Sequence, residues 1–322
     1  MATALRRAGH LVLRFSRGPC SPFMRRAGVA IILAFMALAP FVLHSYGIVI
    51  LTNALLYIIL ALGLNIVVGY AGLLDLGYAA FFAVGAYTVG ILTLNFTVDF
   101  WLTLPVAVFN AALAGVIIGG PTLRLRSDYL AIVTLGFGEI VRLCARNLSI
   151  TGKATGLTGI EQPWIFGWHI DTPRDFYYVF CVLTVMAVIV STRLAKSRLG
   201  RAWLYVRHDE DVAEAMGINR TTVKLQAYVI GAIFASIGGA FFAVNLGAIS
   251  PQSFSFSQSV IILMAVILGG MGKIPGVILG ALIVILGPEL LRDIGQLRLL
   301  VFAIGLLAIM LFRPGGIWPG RI

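Results

Sequence analysis

Residues 65–88, "NIVVGYAGLLDLGYAAFFAVGAYT", decide how this chain is read: they hold four glycines, one aspartate and no other charge. The apolar residues suit a helix in lipid, yet Gly69, Gly72 and Gly77 crowd around Asp75 and interrupt any helix drawn through them. In a bilayer every backbone N–H and C=O must find a partner within the protein, so a broken helix survives only where it is packed in protein or lines a watery path. The stretch therefore predicts a membrane protein with an interrupted helix.

Composition agrees. The 322 residues are 60% hydrophobic and 11% charged, against roughly 25% charged in an average soluble domain. The net charge of +11 lies in short basic segments between apolar runs, where it sets orientation in the membrane and does not mark a nucleic-acid surface. Cys20, Cys144 and Cys181 are widely spaced and show no C-x-x-C pattern, so neither a disulfide framework nor a zinc site is indicated. The first 26 residues carry Arg6, Arg7, Arg14, Arg17, Arg25 and Arg26 and no acid. Arg14 interrupts the one apolar run that would suit a secretory signal, so residues 1–28 read as a basic cytoplasmic tail that a start at Met24 would largely remove.

A transmembrane helix needs about 20 mostly apolar residues. Ten segments qualify as candidates: 29–46, 48–68, 76–94, 102–120, 129–148, 176–194, 225–249, 259–270, 276–291 and 299–312, the eighth being short. The basic tail, the segment 193–224 and the C-terminus with Arg313 and Arg321 should all be cytoplasmic. Six crossings and then four more satisfy that parity, which also places Arg124 and Arg126 inside. The connection 149–175 and the stretch "SPQSFSFSQS" then face outward. The expected fold is an all-α polytopic membrane protein of about ten transmembrane helices over residues 29–313, with a short cytoplasmic tail at 314–322. Because five is odd, two halves of five would run in opposite senses, as in an inverted repeat. The two glycine-broken segments, "GYAGLLDLG" and "GGMGKIPG", suit that arrangement and mark substrate paths in transporters; the general richness of membrane helices in glycine accounts for them as well. Both readings stay open.

Soluble-enzyme motifs fail. Gly152-Lys153 and Gly272-Lys273 lack the rest of a phosphate-binding loop, and His10, His44, His169 and His208 show no metal-ligand spacing. Charges at membrane depth are more informative, because each needs a partner or water. Glu139 with Arg142, and Glu289 with Arg292, stand at i, i+3 and can neutralise each other locally. Asp75 has no such neighbour and reads as a fixer of the broken helix. The pathway candidates are Asn65, Gly69, Gly72, Asp75, Gly77, Glu139, Gly269, Gly270 and Gly272. Gly115/Gly119 and Gly276/Gly280 are G-x-x-x-G spacings that let helices approach closely.

Between the spans, "SRLGRAWLYVRHDEDVAEAMGINRTTVK" is the longest polar stretch assigned to the inside. Asp209, Glu210, Asp211 and Glu214 favour a short helix that Gly217 stops. Val212, Ala213, Ala215 and Met216 give that helix an apolar face suited to a groove on a partner.

"EAMGI", with Glu214, Ala215 and Gly217, resembles the signature by which ABC-importer permeases dock on their ATPase subunits. Together with "GLNIVVGYAGLLDLGYAAFFAVGAY", "LRLRSDYLAIVTLGFGEIVR", "GRAWLYVRHDEDVAEAMGI" and "AVILGGMGKIPGVILGA", it resembles the larger permease subunit of the branched-chain amino acid ABC transporters, from about residue 29 to 313. The resemblance implies a coupling loop at 195–224 and a second, related permease. It implies two ATP-binding subunits that use ATP on this chain's behalf, and a periplasmic binding protein that delivers leucine, isoleucine or valine. It implies no enzymatic activity and no cofactor bound by this chain, and a home in the bacterial inner membrane. Lys153 stands where the family pattern leads us to expect glycine. Relatives carry urea, short amides or other amino acids, and the apolar spans single out no cargo. A self-contained secondary transporter using Glu139 as an ion site is the rival from another class; it would have no need of the docking helix.

Overall fold

The computed structural model describes residues 39–40, 44–123, 127–165, 168–313 and 315–318. Contacts cluster into a body spanning Ser45–Ile322, and the account below concerns that body. The basic tail and most of the candidate span 29–46 lie outside the described residues, as does the C-terminal tail apart from 315–318.

The described residues form helices α1 (Ser45–Leu64), α2 (Tyr78–Phe96), α3 (Phe100–Thr122), α4 (Ser127–Asn147), α5 (Pro173–Lys196), α6 (Arg198–His208), α7 (Glu210–Ala215), α8 (Arg220–Leu246), α9 (Phe256–Gly269), α10 (Ile274–Leu290) and α11 (Arg298–Phe312). A π-helical turn, Asn65–Tyr70, extends α1. The strands are two-residue pieces: β1 (Leu157–Thr158) pairs antiparallel with β4 (Ala248–Ile249), and β2 (Trp164–Ile165) with β3 (Trp168–His169). This is an all-α membrane architecture. Among the described residues five helices are long and apolar enough to cross a membrane: Ser45–Tyr70, α2, α3, α5 and α8. The helices α9 and α10 are apolar but shorter, and α4 carries Glu139, Arg142 and Arg146 along its length. Each candidate span from residue 48 onward coincides with a helix.

Local chemistry explains the boundaries. Thr172 and Asp175 form a reciprocal capping box at the start of α5, Pro173 occupies its first turn, and Arg193 and Lys196 sit in its last turn against the negative end of the helix dipole. Asn219 caps α8, its side-chain oxygen accepting from Thr222 N–H at 3.1 Å.

The interior is made by α1, α2 and α8, whose apolar windows are 67%, 61% and 72% buried, whereas α3 and α5 at 28% and 22% leave most of their surface for lipid or a partner. Close approach of α2 and α8 depends on reciprocal glycines. A Cβ at Gly85 would strike the backbone of Ser236, and one at Gly239 would strike that of Phe82. The Tyr78 hydroxyl donates to the Gly231 carbonyl at 3.1 Å and Ser236 Oγ to the Ala107 carbonyl at 2.9 Å, so polar groups in the core are joined across helices. The G-x-x-x-G spacings behave as expected: Gly276 and Gly280 lie against the backbone of α9, and Gly115 and Gly119 against Val229 and Leu225 of α8.

Candidate functional site

The helix break at residues 71–77 is stitched by side chains from three places. Asp75 Oδ1 accepts from Gly77 N–H at 2.9 Å, Thr134 Oγ1 on α4 from Leu76 N–H at 3.1 Å, and Ser259 Oγ on α9 from Ala79 N–H at 2.9 Å. These are the amides that the interrupted helix leaves without intrahelical acceptors. Asp75 is 1% exposed, and its Oδ2 has no hydrogen-bond partner among the described residues. Its bond from Gly77 N–H lies within the break, where the sequence reading put a fixer of the broken helix, and Gly77 lets the same turn lie directly against the Thr134 backbone.

The two glycine-broken segments meet. Asn65 Oδ1, on the π-helical turn, accepts from Gly272 N–H at 2.8 Å, and a Cβ at Gly69 would lie 2.6 Å from that same nitrogen. Into this junction reaches a residue that sequence reasoning missed. Arg207, near the end of α6, donates from Nη1 to the Gly69 carbonyl. Its aliphatic stem covers Gly72, where a Cβ would lie 2.8 Å from Arg207 Cγ, and a Cβ at Gly272 would lie 3.5 Å from Arg207 Nη1. Gly72 sits at φ +72°, a conformation that a side chain would strain. Burial pulls the Arg207 pKa below its ordinary value, though a guanidinium stays charged in proteins. Of the pathway candidates, Asn65, Gly69, Gly72 and Gly272 thus converge. Gly269 and Gly270 belong to the same turn as Gly272 but face elsewhere: Gly269 faces α10, and Gly270 faces residues 315–318, whose Ile317 and Trp318 amides donate to the Leu268 and Gly269 carbonyls. Glu139 is engaged with Arg142, and Glu289 with Arg292 at 3.6 Å and with the Tyr46 hydroxyl.

The segment 195–224 holds two helices where the sequence reading had one. The missed helix, α6, had a signal: Ser197 caps it, accepting from Gly200 N–H at 3.2 Å, and Leu199, Trp203 and Val206 recur at helical spacing. Trp203 is buried, and its indole N–H donates to the Val223 carbonyl at 2.9 Å, tying α6 to α8. Asp209 caps α7, its Oδ1 accepting from the Asp211 and Val212 amides. Glu210 pairs with Lys224 at 2.6 Å, and Arg220 with Glu214 at 3.3 Å and with Asp211 at 3.4 Å. The four acids therefore hold the helix in place. At its end Gly217 adopts φ +84°, with Gly217 N–H donating to the Glu214 carbonyl and Ile218 N–H to that of Ala213. These two bonds are the Schellman pattern. The expected apolar face needs one correction: Ala213 is buried against its own protein because the helical turn carries it away from Val212. Val212, Met216 and, from α6, Tyr205 are the most exposed of the large apolar side chains here, Met216 at 79%.

Residues 47–312 match the family described as the branched-chain amino acid transport system / permease component. The chain belongs to that family. It is 41% identical over 304 residues to the high-affinity branched-chain amino acid transport system permease protein LivM of Salmonella typhimurium, covering 87% of this chain and 72% of the relative, and matches LivM of Escherichia coli equally. The permease protein LivH of Salmonella typhimurium is 25% identical over 247 residues, 70% of this chain and 79% of that one. No solved structure matches.

Proposed function

We propose that this chain is the larger permease subunit of an ABC importer for leucine, isoleucine and valine. It would supply half of a transmembrane pathway whose other half is a LivH-like permease. Two ATP-binding subunits and a periplasmic binding protein complete the machine, and both termini of this multi-pass inner-membrane chain are cytoplasmic. The observation that carries the reading is the joined architecture of 197–224. A capped, internally braced helix ends in a glycine turn and leaves Tyr205, Val212 and Met216 open, while α6 beside it reaches the break in the membrane helices through Arg207. A docking element needs those two connections, outward to a partner and inward to a pathway, and a solvated loop needs neither.

Two groups of contacts favour the ten-span orientation, while the bond from Ala79 N–H to Ser259 Oγ, which joins the outward stretch to the start of α2, runs across it. Those assigned inside meet one another, with Arg207, Gly69, Gly272 and Trp318 gathered at one place. Those assigned outside meet likewise, Leu157–Thr158 pairing with Ala248–Ile249. The test of function is uptake of radiolabelled leucine and urea in a strain lacking this chain. Leucine uptake that depends on the binding protein and on ATP should vanish and return with the gene. Loss of urea uptake with leucine uptake intact would overturn the assignment.

A further inference from the structure

Arg207 makes the inward connection of the docking helices at a point where three segments of the chain meet. It lies on α6, two residues before the cap of α7, and α6 is fastened to α8 by the Trp203 indole. Its guanidinium reaches the Gly69 carbonyl on the π-helical turn, next to the bond from Gly272 N–H to Asn65 Oδ1, which joins residues 207 apart in the chain. Three segments that are remote in sequence share one contact: the helix pair carrying the exposed apolar side chains, the break after α1, and the turn between α9 and α10. The two membrane segments carry glycines at positive φ there, Gly72 at +72° and Gly272 at +83°, so both turn at the point where Arg207 holds them. π-helical turns are frequent at functional sites.

Resting on the import reading, we infer that Arg207 is a positioning residue that passes displacement of α6 and α7 to both broken helices at once. Its planar head holds the Gly69 carbonyl beside Gly272, and its stem fills the space over Gly72. A shift of α7 on a docked ATPase moves α6 through the single residue between them, Asp209, and α6 then moves Gly69 and Gly272 together. Arg suits the task because it is charged at all cellular pH values and offers several donors in a fixed plane.

The test uses the whole transporter, this chain with its partner permease, both ATPases and leucine-loaded binding protein, in proteoliposomes. Leucine uptake and ATP hydrolysis are measured on the same samples for wild type, Arg207→Gln, Arg207→Lys and Arg201→Gln. Arg201 is exposed and, among the described residues, its side chain bonds only locally, to the Lys196 carbonyl at 3.0 Å. Arg207→Gln should assemble and hydrolyse ATP within about twofold of wild type while uptake falls roughly tenfold; Arg207→Lys, which retains one donor, should fall between, and Arg201→Gln should match wild type. Uptake and hydrolysis falling in equal proportion, or full uptake by Arg207→Gln, would overturn the inference. Should Arg207→Gln fail to assemble, Arg207→Lys decides: a lowered ratio of uptake to hydrolysis supports transmission, and a wild-type ratio leaves only a structural role and overturns it. Failure of the import reading is visible separately, as wild-type vesicles without ATP-driven leucine uptake, and would take the inference with it.

Discussion

Lys224 Nζ lies 2.6 Å from Glu210 Oε1, with the lysine side chain 5% exposed and the glutamate 44% exposed. A lysine so deeply placed at the start of α8 draws α7 onto the body of the protein, and its charge is answered by one carboxylate that remains half in solvent. Leaving such an ammonium unpaired is costly because the buried charge keeps its desolvation penalty without its partner. Glu210→Ala should therefore destabilise the protein by about 1–2 kcal/mol, the exposure of the glutamate keeping the effect near the low end of the range for an orphaned buried polar group. Thermal unfolding of the detergent-solubilised protein measures this. The double variant Glu210→Gln/Lys224→Met should recover most of the loss; equal destabilisation by the single and double variants would mean the pair does not couple the two helices.

The buried carboxylate at Asp75 makes an opposite prediction. The hydrogen bond it accepts from Gly77 N–H needs an acceptor oxygen and no charge. Asp75→Asn keeps that oxygen and removes the cost of burying an ion, so insertion and uptake should be retained. Asp75→Ala leaves the Gly77 amide open and should lower stability by about 1–3 kcal/mol. A folded Asp75→Asn protein that no longer transports would show that the carboxylate does more than fix the break.

Lys153 holds φ +56°, between Gly152 and Gly156 at +76° and +79°. At the position where the family resemblance leads us to expect glycine, a side chain is thus placed in left-handed backbone. Lys153→Gly should relieve that strain and, after the extra entropy glycine has when unfolded, stabilise by about 0.5–1 kcal/mol. The melting temperature should rise by on the order of 2 °C. Lys153→Gln, which removes charge without changing the backbone requirement, should leave it unmoved; an equal rise would assign the effect to charge.

What was legible in the sequence was what repeats locally. Apolar runs located the long apolar helices from residue 48 onward, the i, i+3 spacing located the pairs Glu139/Arg142 and Glu289/Arg292, and glycine next to an unpaired acid located the break. Contacts at long range left no local trace. No pattern in residues 65–77 announces that Gly272 will donate to Asn65, and Arg207 in a basic segment reads as topology until its partner is seen. Lys224 was equally hidden, since a lysine at a helix start is ordinarily solvated. The sequence grouped the acids of α7 on one short helix, but composition did not reveal that Glu210, Asp211 and Glu214 face Arg220 and Lys224 while Asp209 caps the helix, leaving Val212 and Met216 as the outward surface.

The turn at Gly217 offers the most direct test of that surface. Its φ of +84° lets the amides of Gly217 and Ile218 close the last carbonyls of α7, and nothing lies within 4 Å of the position a Cβ would take. The demand at this residue is conformational, with no steric clash to confuse it. A β-branched residue is strained there by about 1 kcal/mol or more, whereas asparagine tolerates the left-handed region. Gly217→Val should therefore fray α7 and turn Val212 and Met216 away from their present positions without disturbing the membrane helices. The expected result is a protein that inserts normally yet fails to co-purify with its ATPases, with Gly217→Asn close to wild type. Full assembly and full leucine uptake by Gly217→Val would remove α7 as the docking helix, and the solvated-loop reading of this segment would then be preferred.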